Sequence, residues 1–196
     1  MGKGKIIIIA VIILLIVLLF GMYNGLVRAR NRVDRTWADV QNVYQRRFDL
    51  IPNLVATVKG YAEHEQETFE NITRYRSEAG GKIDIRAEDL TPDRLREIQA
   101  AESQLNNALS RLMVIVENYP VLKANENFLQ LQSQLEGTEN RINQERRRFN
   151  QAVEDYNNAI QTMPRAIIAS LFGFTARSSF EAAPGAEQAP KVDFNQ

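Results

Sequence analysis

Residues 128–163, FLQLQSQLEGTENRINQERRRFNQAVEDYNNAIQTM, set Phe128, Leu135, Ile142, Phe149, Tyr156 and Met163 at a strict period of seven, seconded by Leu131, Thr138, Ala152 and Ala159. Steps of three and four keep an apolar stripe on one side of an α-helix, because the helix turns once in about 3.6 residues. The spacing predicts a helix of about forty residues whose stripe needs partners of the same kind. Three other stretches supply them. The first runs Tyr23, Leu26, Arg30, Val33, Trp37, Val40, Tyr44, Arg47; the second from Ile51 through Leu54, Val58 and Tyr61 to Tyr75; the third from Leu95 to Tyr119. No alternating run of strand length competes. The fold class expected is all-α: an N-terminal transmembrane helix continuing into an elongated antiparallel four-helix bundle.

The expected connections follow from the breakers. In RRFDLIPNLV, residues 46–55, Asp49 is placed to cap a second helix and Pro52 falls in its first turn, where a missing N–H costs little. Arg46 and Arg47 then close the first helix at its negative dipole end, and the four residues form a corner at the tip of the bundle. A polar loop is expected over AGGKIDIRAEDL, residues 79–90, and a break at Tyr119–Pro120. Thr91 before Pro92 reads as a helix start, Asn125 as a cap for the last long helix, and Pro164 as its limit.

Outward from the bundle, IIIIAVIILLIVLLFGMYNGLV (residues 6–27) carries no charge and follows Lys3 and Lys5. At about 1.5 Å per residue these residues reach about 33 Å, the thickness of a hydrocarbon core. A cleaved signal peptide is the rival, but no small-x-small cleavage site follows. The domains expected are therefore an anchor at 1–27, a helical bundle at 28–176 and a flexible tail at 177–196. Arg28, Arg30, Arg32 and Arg35 outnumber the lysines before the span, which leans toward a cytoplasmic bundle.

Composition limits the chemistry. The 196 residues hold 24 basic and 24 acidic side chains, one histidine and no cysteine. Charge balance argues against nucleic acid as a partner. The missing thiols and imidazoles remove the commonest metal sites and nucleophiles, and no phosphate loop or nucleophile elbow is present. His64, between Glu63 and Glu65, points about 100° away from each on a helix, so the three do not converge on one atom. No catalytic, metal or cofactor residue is assigned. The basic run Arg146, Arg147, Arg148 reads as a solvated face beside Glu139 and Glu145.

Polar residues interrupt the seams. Folding the hairpins back on the expected corners puts Arg30 level with Glu102, Thr138 and Glu145, which suggests a buried polar layer that fixes register; snorkelling of these heads to solvent is the other reading. Downstream, Ile167, Ile168, Leu171 and Phe172 form a short apolar segment that either caps the bundle or lies in the membrane interface. In the tail, Phe180, Val192 and Phe194 are spaced anchors that could dock on a partner or on a neighbouring bundle, against a plain flexible tail.

The blocks YNGLVRARNRVDRTWADVQ, RRFDLIPNLVATVKGYAEHE, YPVLKANENFLQLQSQLEGTENRINQERRRFN, YNNAI and PKVDF together resemble the LemA family of bacterial membrane proteins, from about Tyr23 to Phe194. The resemblance implies a single-pass inner-membrane anchor, a helical bundle and no established activity. It also implies relatives with a lipoprotein cysteine near the position of Met22, and hence an extracytoplasmic bundle, opposite to the arginine bias. The function expected is a non-enzymatic scaffold or adaptor of the cell envelope. Its partners would be the lipid bilayer, other envelope proteins and copies of itself. The alternative is a regulatory subunit of a membrane protease or an envelope-stress sensor.

Overall fold

The computed structural model describes residues 2–62 and 64–181, without the side chain of Ile6. Among the described residues every regular element is helical. The order is α1 (Lys3–Lys59), α2 (Gln66–Ile83), a 3₁₀ turn (Ala87–Asp89), α3 (Pro92–Val116), the short α4 (Pro120–Lys123), α5 (Glu126–Gln161) and α6 (Arg165–Leu171).

Helix α1 is two helices in one. Its apolar residues from Ile7 to Phe20 are all exposed, and this part is long and apolar enough to cross a membrane. From Leu26 onward the seam closes: Leu26, Val33, Trp37, Val40, Tyr44, Ile51, Leu54 and Val58 are buried. The steps of three and four run through residues 44, 47, 51, 54 and 58 without a change of phase.

The corner expected at Asp49 is therefore absent. The helix passes through Pro52 and ends only at Lys59. Proline in a helix interior removes the N–H that would bond the carbonyl four residues earlier, here that of Phe48. In the fold Arg76 of α2 replaces it, its Nε donating to the Phe48 carbonyl at 2.5 Å. Pro52 itself is exposed. A tertiary donor thus removes much of the reason for the helix to stop.

Helix α2 returns along α1. Trp37 Nε1 donates to the Ile85 carbonyl at 2.6 Å and Gln41 Nε2 to that of Ile83 at 2.8 Å, fixing the end of the hairpin at the level of Trp37. The expected loop is shorter than 79–90, because α2 continues through Gly80 and Gly81 to Ile83. Thr91 caps α3, accepting from the Arg94 amide at 3.2 Å, and Asn125 caps α5, accepting from Phe128 at 3.1 Å.

Helix α5 runs antiparallel to α1. Arg32 pairs with Asp155 at 3.1 Å, the Trp37 and Phe149 rings stand 5.4 Å apart, and Arg47 pairs with Glu139 at 2.8 Å. Rising numbers on α1 thus meet falling numbers on α5 in nearly equal steps, as two straight helices in fixed register require. Phe128, Leu135, Ile142, Phe149 and Tyr156 are all buried, whereas Met163 lies beyond the helix and is exposed.

After α6 the chain reverses at Gly173, whose φ of 71° is readily open only to glycine, with the Phe174 amide donating to the Ala169 carbonyl at 2.9 Å. Residues 174–181 then run back along the core. The flexible tail expected from 177 is thus fixed as far as Glu181; Val192 and Phe194 lie outside the described residues.

Candidate functional site

Two polar assemblies stand out, one interrupting the apolar seams at Arg47 and Glu102 and one flanking them, and Arg146 joins them. The first centres on Glu102 of α3, with its side chain 8% exposed, and Arg47 of α1, 6% exposed. Tyr44 donates its hydroxyl to Glu102 Oε2 at 2.5 Å, Arg146 approaches the same oxygen at 3.4 Å, and Arg47 donates to Glu102 Oε1 at 3.3 Å. Arg47 also donates to Asn106 Oδ1 and pairs with Glu139 at 2.8 Å. Tyr44 and Arg47 reach one spot because residues three apart share a helix face.

Burial pushes the Glu102 carboxyl above its usual range, while the Tyr44 hydrogen bond and the Arg146 and Arg47 guanidiniums pull it back. Burial, with the charge of Glu102 second, holds the Tyr44 phenol well above its ordinary value. Both Glu102 oxygens are engaged by protein donors, which leaves it poorly placed to handle a substrate proton. Beside it, between α3 and α5, opens a groove of about 310 Å³ lined by Arg47, Asn106, Leu109, Leu135 and Glu139 among others. Among the described residues no cluster of three His, Asp or Glu side chains could hold a metal.

The second assembly is a pair of asparagine clamps. Asn157 donates to the Arg177 carbonyl at 2.8 Å and accepts from its amide at 2.9 Å. Asn150 does the same for Phe180, both at 2.9 Å. Seven residues of helix rise about as far as three residues of extended chain, roughly 10 Å, so the two amides match the backbone they hold. Phe180 is buried between Trp37 and Phe149, and Arg146 stacks on it with its guanidinium carbon 4.3 Å from the ring centre.

The residues singled out in the sequence divide. Glu102 sits at the centre of the layer, but Arg30 does not join it: its guanidinium is exposed and lies 5.4 Å from the Phe174 ring centre. With α1 ending at Lys59 and not at Asp49, the level of Glu102 shifts outward along α1, from Arg30 to Arg47. Thr138 is buried yet satisfies itself on the Gln134 carbonyl at 2.7 Å, and Glu145 pairs with Arg148 at 2.9 Å.

Arg46 is exposed; Asp49 accepts from Gln45 at 2.8 Å and caps nothing. His64 is exposed in the turn instead of on a helix. Ile168 is buried, whereas Ile167, Leu171 and Phe172 are exposed. The basic run 146–148 is not one solvated face, since Arg146 turns inward and Arg147 stays exposed. Tyr44, Asn106, Glu139 and Arg146 join the layer although no sequence pattern groups them with Glu102. The legible signal was Tyr44 and Arg47 on one seam; the partners on α3 and α5 depend on the register.

Comparison of the sequence with known proteins gives a family match. The model described as the LemA family matches residues 36–194. The chain is 29% identical over 122 residues to Protein LemA of Metamycoplasma hominis, covering 62% of this chain and 52% of that protein. It is 27% identical over 181 residues to Magnetosome protein MamQ of Magnetospirillum gryphiswaldense, covering 84% of this chain and 66% of that one. It is 26% identical over the same length to Magnetosome protein MamQ 1 of Paramagnetospirillum magneticum. The chain spans about half the length of the first relative and about two thirds of that of the MamQ proteins. Matched over most of its length by the family model, the chain belongs to the LemA family.

Proposed function

We propose that this protein is a membrane-anchored, non-enzymatic helical scaffold or adaptor of the bacterial cell envelope, binding other envelope proteins or copies of itself. In this proposal α1, α2, α3 and α5 form an elongated four-helix bundle held in register by the Glu102 layer. The observation that carries the proposal is α1 itself. One uninterrupted helix is apolar on every side from Ile7 to Phe20 and supplies a core seam from Leu26 to Val58. By helix rise the turn after Lys59 stands about 54 Å beyond Tyr23, so the core would present its far end well away from a bilayer. The saturated hydrogen bonding of Glu102 supports a structural role for the most polar part of the core.

In-cell crosslinking followed by purification of the full chain in mild detergent tests the proposal. A stoichiometric envelope protein, or a defined assembly of copies, is the expected result. A stoichiometric protease would favour the regulatory alternative, and a monomer crosslinked to nothing would contradict both.

A further inference from the structure

Helix α6 and its flanks leave four large apolar side chains uncovered: Met163, Ile167, Leu171 and Phe172 are 66%, 59%, 78% and 59% exposed. Ile167 and Leu171 are four residues apart and share one face of the helix. Ile168 and Ala169 are buried against the core, so the short helix is docked, with an apolar side left over. Its position is fixed by aromatic contact. The Tyr23 ring stands 4.9 Å from that of Phe172 and 5.8 Å from that of Phe174.

Tyr23 is also where the exposed apolar part of α1 ends. Phe20, 65% exposed, lies less than one helical turn before it. The uncovered face of α6 therefore adjoins the uncovered surface of the candidate span. An exposed apolar patch of this kind marks an interaction surface, and what it adjoins says which one.

We propose that α6 is a second membrane contact. It lies in the interface, with Ile167, Leu171 and Phe172 at the acyl boundary and Tyr23 at headgroup level. The proposal rests on α1 spanning the bilayer. Exposed Arg165 opens α6 and exposed Arg28 lies little more than one turn beyond Tyr23, so both are placed for headgroup phosphates. With seven residues α6 is too short to span. Gly173 then turns the chain back toward Trp37 and Phe149, where Phe180 is held. A single helix leaves the core free to rotate about the α1 axis; α1 and α6 together fix which side of the core faces the membrane.

The chain has no cysteine, so single labels are clean. The full chain is reconstituted in phosphatidylethanolamine–phosphatidylglycerol vesicles containing shallow doxyl-labelled lipid. An environment-sensitive fluorophore is attached at Leu171→Cys, at Ile12→Cys in the span, or at Val114→Cys, exposed on α3. The expected result is lipid quenching at 171 several-fold above that at 114, with iodide quenching lower by a similar factor. Quenching at 12 with position 171 behaving like 114 would overturn the α6 contact alone. Shielding of 171 from both quenchers would mean that protein covers α6, and would also overturn it. No lipid quenching at 12 would remove the span and the α6 contact together.

Discussion

Arg30 and Arg47 stand on the same seam of α1, yet one is exposed beside an aromatic ring and the other is buried among carboxylates. Their own helix does not make the difference. At the level of Arg47, α3 brings Glu102 and Asn106 and α5 brings Glu139, which together offset the desolvation of a guanidinium. At the level of Arg30 the returning segment offers Phe174, and the charge keeps its water. A polar residue on a seam thus announces an interruption, and the neighbours decide whether it becomes a layer.

The sharpest way to break this contrast is Glu102→Ala, which removes the buried carboxylate shared by Arg47, Arg146 and Tyr44 and should cost about 3–5 kcal/mol in reversible unfolding, as removal of one member of a buried ion pair does. Arg30→Ala should cost no more than about 1 kcal/mol, the worth of an exposed cation–π contact. Equal losses would mean that the two arginines are not different in kind.

A smaller effect, about 1–3 kcal/mol, is expected for Arg76→Ala, which leaves the Phe48 carbonyl without its donor. Pro52→Ala restores an amide at the ordinary helical position. Combined with Arg76→Ala it should recover part of the loss, and strictly additive effects would show that the arginine does not stand in for the missing N–H.

The layer also has a pH signature. Glu102 has a folded pKa raised above its ordinary 4.5, chiefly by burial, so its contribution is full below that value and is lost as pH rises through the folded one. The melting temperature of the wild type relative to Glu102→Gln should therefore increase on going from pH 7 to pH 4.5. A decrease would mean that the arginines outweigh burial. The smallest effect belongs to Asp49→Ala, expected within about 0.5 kcal/mol because the side chain is exposed and caps no helix; a loss of about 1 kcal/mol would restore the cap.

Much of the fold was legible in the sequence because its information is periodic. The five buried heptad positions from Phe128 to Tyr156, the caps at Thr91 and Asn125, and the apolar span followed from spacing and local chemistry. The corner did not, since Asp49 and Pro52 carry a local helix-start signal that a tertiary donor overrides. The stronger signal is the unbroken phase from Tyr44 through Arg47, Ile51, Leu54 and Val58, which one continuous helix produces. The place of the turn sets the register, and with it which arginine is buried. The asparagine clamps were invisible for another reason: they hold backbone, so the sequence of the bound segment carries little trace of them.

The central claim is that α1 is one helix from the candidate span to the far turn. Spin labels at Asn24→Cys and Lys59→Cys, both exposed sites in a chain without other cysteines, measure it by double electron–electron resonance. An unbroken helix predicts about 52 Å between the two positions, from 1.5 Å per residue. A chain that turned at Asp49 would bring them to about 25 Å, and that distance would contradict the account.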